Sequence, residues 1–244
     1  MKNISIKISS ILTILIIWYM VYLIIDHPLI MPSVLDVFKA FFKMFSDKLY
    51  LTAIGFSLTR LATSLFISSL LGTTFGFLSA KYQLLQEWLK PYIIIIKTIP
   101  VISAIIILYV IFGFVIAPYI ITFLMIFPIF YQATYQGIKA ISHDMMDVYH
   151  METSDWFLGL RFVYIPNIKD YLLLAFYQSF GLGFKVLVTS EFITQTNRSI
   201  GKLLYEAKVN LSYDIVFALT LFLIFITITI EWLADKLKKQ LSDG

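Results

Sequence analysis

Residues 101–135 read VISAIIILYVIFGFVIAPYIITFLMIFPIFYQATY, and no Asp, Glu, Lys or Arg interrupts them. A run of this kind needs a solvent other than water. About 20 apolar residues in a helix cross a bilayer core about 30 Å thick. Two crossings are read here, Tyr92–Phe112 and Ala117–Tyr135, joined by a very short link without charge. Strands of a membrane barrel would alternate apolar and polar positions over about ten residues, and these runs do not.

Four further segments of similar length flank the pair: Ile8–Ile25, Phe56–Ala80, Tyr171–Ile193 and Ile215–Leu233. The expected fold class is an all-α membrane protein with about six transmembrane helices. Composition agrees. Of 244 residues, 59% are hydrophobic and 14% charged, with a mean hydropathy of +0.85. A soluble domain is about half apolar and about a quarter charged. The first run follows Lys2 and Lys7 and continues into Asp26-His27-Pro28 rather than a small-residue cleavage site. It reads as a retained span and not as a removed signal. With the N-terminus inside, ten Lys and Arg fall on the inner side and seven on the outer, so both termini are expected in the cytoplasm. The chain divides into 1–55, a first helix with an outer segment, and 56–244, the core membrane domain.

Several functions are excluded early. The chain has no cysteine, and its histidines, His27, His143 and His150, are scattered near expected helix ends. Neither thiolate chemistry nor a metal cluster is expected. The net charge of +4 fits membrane topology rather than nucleic-acid binding. No group is read as catalytic, and no GxxxxGK[ST] run is present to bind ATP.

The loops are uneven. Residues 26–55 interleave Leu35, Val37, Phe38, Phe41, Phe42 and Phe45 with lysines, as an amphipathic helix along the outer interface would. The outer loop from Thr194 to Tyr213 carries a short helical pattern over Ile200–Val209. The inner loop 139–170 is the longest cytoplasmic stretch. In it Met145, Val148, Met151 and Glu152 share a helical face, then Trp156, Phe157, Leu160 and Phe162 follow, and Pro166 breaks the chain. Exposed aromatics in such a loop suggest a docking surface for a partner that pushes.

On these residues the chain resembles the membrane permeases of binding-protein-dependent ABC importers, in the nitrate/taurine/sulfonate branch. That family carries an inner loop of the form EAA-x3-G-x9-I-x-L-P. Counted back from Pro166, its end reads Val163-Tyr164-Ile165-Pro166, its glycine position is Thr153, and its acid is Asp147, followed by Val148-Tyr149. The acid and the Ile-Pro end are kept; the glycine and the two alanines are not. Further elements are similar in order and spacing: Ser57-Leu58-Thr59-Arg60 with Gly72 and Gly76, Leu89-Lys90-Pro91, Lys97-Thr98-Ile99-Pro100, Phe112-Gly113, Tyr135-Gln136-Gly137-Ile138, Glu191, and Ser199-Ile200-Gly201-Lys202-Leu203-Leu204. The resemblance implies a type I ABC importer permease-like fold in the inner membrane of a bacterium. It implies an ATPase-coupling loop of Asp147, Val148, Met151, Glu152, Thr153, Ser154, Trp156, Phe157, Leu160 and Pro166. It implies a second permease copy, an extracytoplasmic substrate-binding protein, and a cytosolic ABC ATPase dimer that holds ATP and Mg while this chain binds no cofactor.

Three residues are candidates for the translocation path: Lys185, Glu191 and Pro100. An ammonium at the centre of a span costs at least about 2.5–3.5 kcal/mol in lipid, so Lys185 is expected to face protein or water. It either lines the path and attracts an anionic or zwitterionic solute, or has a structural partner such as a carboxylate, or snorkels toward the outer face. Glu191, six helical positions on, lies about 120° around the axis, so the two do not face each other. A basic residue of the outer loop is its expected partner. Pro100 kinks or starts a helix. Gly72 and Gly76 form a small-x3-small step for close packing. The rival class, an ion-coupled secondary transporter, should carry ionisable residues in several spans.

Overall fold

A computed structural model describes residues 2–27, 30–152 and 155–242, and the chain is all-helical over them. In chain order the helices are α1 (Lys2–Ile25), α2 (Val34–Met44), α3 (Lys48–Lys81), α4 (Gln83–Thr98), α5 (Val101–Lys139), α6 (His143–Glu152), α7 (Trp156–Gly159), α8 (Ile165–Thr194), α9 (Ile200–Val209) and α10 (Tyr213–Ser242). A π-helical turn over Leu160–Tyr164 joins α7 to α8. Four stretches are long and apolar enough to cross a membrane: Lys48–Lys81, Val101–Lys139, Trp156–Thr194 and Tyr213–Ile230. Ser9–Ile25 adds a shorter one.

The run 101–135 folds back on itself. Gly113 has φ 74° and ψ 176°, a region nearly closed to residues with a side chain. Lys97 Nζ donates to Gln132 Oε1 at 2.7 Å. A straight helix over Val101–Lys139 would be about 58 Å long and would hold these groups far apart. Residues 101–112 and 114–139 are therefore two antiparallel arms, and α4 extends the first arm alongside the second through Leu89 and Ile93, which pack on Phe127 and Tyr131. The third crossing differs from its expected form. It starts at Gln83 and is interrupted at Ile99-Pro100, because proline has no N–H for the ladder and pushes the residue before it out of the helical region. Ile99 has φ −66° and ψ 131°.

The core lies where α3, α5 and α8 pack together. Ser57, Ser64, Ser68, Gly72, Gly76 and Ser79 are buried along one face of α3. Ser64 Oγ donates to Tyr119 O at 3.2 Å and Ser68 Oγ to Phe123 O at 3.1 Å. A Cβ on Gly72 would lie 2.7 Å from Phe130 Cβ, and one on Gly76 2.5 Å from Tyr131 O. The small side chains let two backbones meet, as expected where lipid removes the hydrophobic drive between helices. On the other side, α2 buries Val37 and Met44 and places Phe45 against Phe222 of α10 at 6.2 Å. The amphipathic segment is thus packed on the last span by one face while Phe42 stays exposed.

Candidate functional site

At the C-terminal end of α8 a buried polar cluster ties the helices together. Glu191 near the C-terminus of α8 is fully buried. Its Oε1 accepts from Arg60 Nη1 at 3.0 Å, and Ser57 Oγ lies 2.9 and 2.8 Å from its two oxygens. The backbone N–H of Gly201 reaches Oε2 at 3.3 Å, and that of Ile200 donates to Ser57 Oγ at 3.0 Å. Arg60 also donates to the carbonyls of Arg198 and Asn197, at 3.2 and 3.1 Å. The two ions are paired and every member is hydrogen-bonded, which is the condition for holding ions away from water.

The segment 195–199 is shaped to deliver those carbonyls. Gln195 and Arg198 adopt left-handed φ values of 50° and 51°. Thr196 Oγ1 donates to Phe114 O at 2.7 Å, which joins this loop to the Gly113 turn. Ser199 then caps α9 by accepting from Lys202 N at 3.0 Å. A Cβ on Gly201 would overlap Glu191 Cβ and the Phe192 nitrogen, so only glycine lets α9 reach the carboxylate.

Away from this cluster, α8 presents an open face. Tyr171, Leu174, Gln178, Leu182, Lys185 and Thr189 are exposed at steps of three and four, which is one helical stripe. Three of the six are polar in a span whose other faces carry buried Phe180, Phe184 and Leu187. Lys185 is exposed here and Glu191 is buried, as the 120° separation requires. Pro100 is exposed at the break in the third crossing. The neighbouring Val101 packs with Ala104 and Val186 in one apolar cluster, so the break lies beside the Lys185 stretch of α8.

The opposite end of α8, with α6 and α7, is built differently. In α6, Asp147, Val148, Met151 and Glu152 are exposed, Met151 by 86%. Thr153 and Ser154 lie outside the described residues. Asp155 caps α7 by accepting from Phe157 N at 2.8 Å. Asn167 Nδ2 of α8 donates to Met145 Sδ at 3.4 Å and Val163 O at 2.7 Å, which ties α6 to the span. Phe157 is 80% exposed. Trp156 is partly engaged: its ring meets Phe77 of α3 edge-on at 5.3 Å and lies 4.9 Å under Lys81 Nζ, while much of the ring stays exposed. These contacts tie the loop to α3. Leu160 is half-buried in the π turn, and Pro166 is exposed as the second residue of α8. Pro166 does not break the chain, because the turn before it changes register: Ile165 N–H bonds Leu160 O, five residues back.

Sequence reasoning thus located Glu191 but gave it the wrong partner. The expected base was in the outer loop; the observed one is Arg60 of α3, and Arg198 contributes its carbonyl. Ser57 stands in a family-like element of the sequence, but nothing along the chain pairs it with Glu191. The available signal was an arginine four positions inside an apolar span, which needs a carboxylate nearby. Gln178 and Phe77 were also missed, since each gains meaning only from helices distant in sequence.

Residues 72–243 match the family described as binding-protein-dependent transport system inner membrane component. No curated protein matches the chain. The matched region includes Glu191 and the whole inner loop but begins after Ser57 and Arg60.

Proposed function

Because the chain belongs to the inner-membrane components of binding-protein-dependent transport systems, and so is a permease subunit of an ABC transporter, we propose that it works in the import direction. One observation supports the coupling it requires: Trp156–Thr194 is a single helical stretch that begins in the loop 139–170, presents the Gln178–Lys185–Thr189 stripe in its second half, and carries Glu191 in its last turn. At 1.5 Å per residue it is about 58 Å long. Motion imposed on its inner end is transmitted along a rigid body to the stripe.

Two copies of the chain pair with their α8 stripes facing a shared path. A cytosolic ATPase dimer, holding ATP and Mg, docks on α6 through Asp147, Val148 and Met151 and on Phe157. Its closure rocks α8 about the sealed outer end, in the manner of alternating access. An extracytoplasmic binding protein delivers the solute to the outer loops. The chain sits in a bacterial inner membrane with both termini in the cytoplasm. Lys185 favours an anionic solute, in keeping with the nitrate/taurine/sulfonate resemblance. The ion-coupled alternative is weaker: Glu191, the buried carboxylate such a mechanism would titrate, is already held by Arg60 and Ser57.

The test is uptake into proteoliposomes by the complete transporter, with ATP on the ATPase side. Lys185→Met should lower uptake about tenfold, the effect of losing about 1.4 kcal/mol of attraction, with ATPase copurification unchanged. Normal uptake by this variant would remove Lys185 from the path. Purification without any ATPase subunit would remove the importer reading itself.

A further inference from the structure

Beneath the inner loop are two adjoining hollows of different character. The first, of about 690 Å3, lies between α6 and the inner ends of α3 and α5. Lys81, Lys139 and His143 line it with Tyr149, Trp156 and Tyr164, and no carboxylate is among its lining residues. Among the described residues neither lysine is in an ion pair. The second hollow, of about 550 Å3, shares Phe77, Lys81, Trp156 and Tyr164 with the first. It runs between α3 and α8 past Leu78, Ile168 and Leu172 and is mainly apolar.

A basic, aromatic-rimmed cleft at the end of the spans opens into an apolar groove along them. That order of chemistry matches one amphiphile: a phosphate on a hydrocarbon chain. We propose that the pair of hollows binds one anionic phospholipid of the inner leaflet. Its phosphate lies between Lys81, Lys139 and His143, and an acyl chain lies in the groove beside Leu172. The lysines supply the attraction that basic groups exert on anionic lipid at the inner surface. Trp156 and Tyr164 sit at the boundary between headgroup and chain, where amphipathic rings are favoured. A free phosphate would satisfy the cleft and leave the groove unexplained. The lipid would bridge α3, α5 and α6 and brace the inner loop from below, whichever way the transporter runs.

The test uses the purified full-length protein, with any subunits that accompany it, in nanodiscs of mixed phosphatidylglycerol and phosphatidylcholine. Retained lipid is counted by native mass spectrometry after mild detergent extraction. Wild type should retain phosphatidylglycerol about thirtyfold over phosphatidylcholine, the preference expected from two lysines near anionic lipid. Lys81→Gln with Lys139→Gln should abolish that preference. Leu172→Trp, which fills the groove and leaves the cations in place, should also abolish retention. Lys90→Gln, an exposed lysine on α4 outside both hollows, should leave it unchanged. Equal retention in the Lys81/Lys139 variant, or equal loss in Lys90→Gln, would overturn the site. Displacement of the lipid by excess inorganic phosphate would overturn the lipid as its occupant.

Discussion

The two ends of α8 solve opposite problems. At its outer end Glu191, Arg60 and Ser57 are buried, and the loop 195–199 wraps them with backbone groups. At its inner end α6 stands over a hollow, with Val148, Met151 and Phe157 turned outward. The outer cluster is complete within one chain. The surface at the other end has apolar groups that none of the described residues covers. On the proposed mechanism the contrast is that of a fulcrum and a lever: one end is held by mutual hydrogen bonds and ion pairing, and the other by aromatic contacts, the Asn167 tether and the Tyr149–Asp155 bond.

The largest expected effect lies at the outer end. Glu191→Ala leaves the Arg60 guanidinium buried without its counter-ion, and breaking a buried pair costs about 3–5 kcal/mol. The Arg60→Met/Glu191→Leu double variant should be far less destabilised than the sum of its single changes. A double-mutant cycle on unfolding in detergent measures this; a coupling near zero would end the fulcrum interpretation. Next comes Gly76→Ala. Its Cβ would press on the Tyr131 carbonyl oxygen, a backbone atom, so α3 and α5 must part at a cost of about 1–3 kcal/mol. Thermal unfolding of the purified protein reads it.

The smallest stability effect is expected from Phe157→Ala, within about 0.5 kcal/mol, since it is a surface change. The same variant should weaken ATPase docking in copurification. Trp156→Ala is the informative contrast. It removes the contacts with Phe77 and Lys81, so it should loosen the inner loop, seen as faster amide exchange over 143–164. If both variants alter docking alike and neither alters exchange, the anchor and the docking face have been wrongly distinguished.

The crossings were legible because hydropathy is a local property. Val101–Lys139 is apolar whichever way it folds, and Ile200–Val209 announces its helix through a serine cap and a short apolar period. The partners of buried charges were less legible. Glu191 and Arg60 are separated by 131 positions, and no pattern along the chain pairs them. Pro166 misled for a related reason. A proline predicts a broken helix unless the preceding turn widens, and whether it widens depends on what Trp156 and Tyr164 find on α3.

The amino-acid sequence by itself determined that this chain is built of helices long and apolar enough to cross a membrane, and where the long loop 139–170 between two of them lies, because apolar length acts on each segment separately. Only the tertiary structure decided that Gly113 reverses the chain, that Arg60 neutralises Glu191, that Lys185 is open on α8, and that Trp156 meets Phe77 and Lys81 of α3. Those facts depend on which helices become neighbours. In a bilayer that choice is made by close backbone approach and by satisfied polar groups, neither of which a single segment contains.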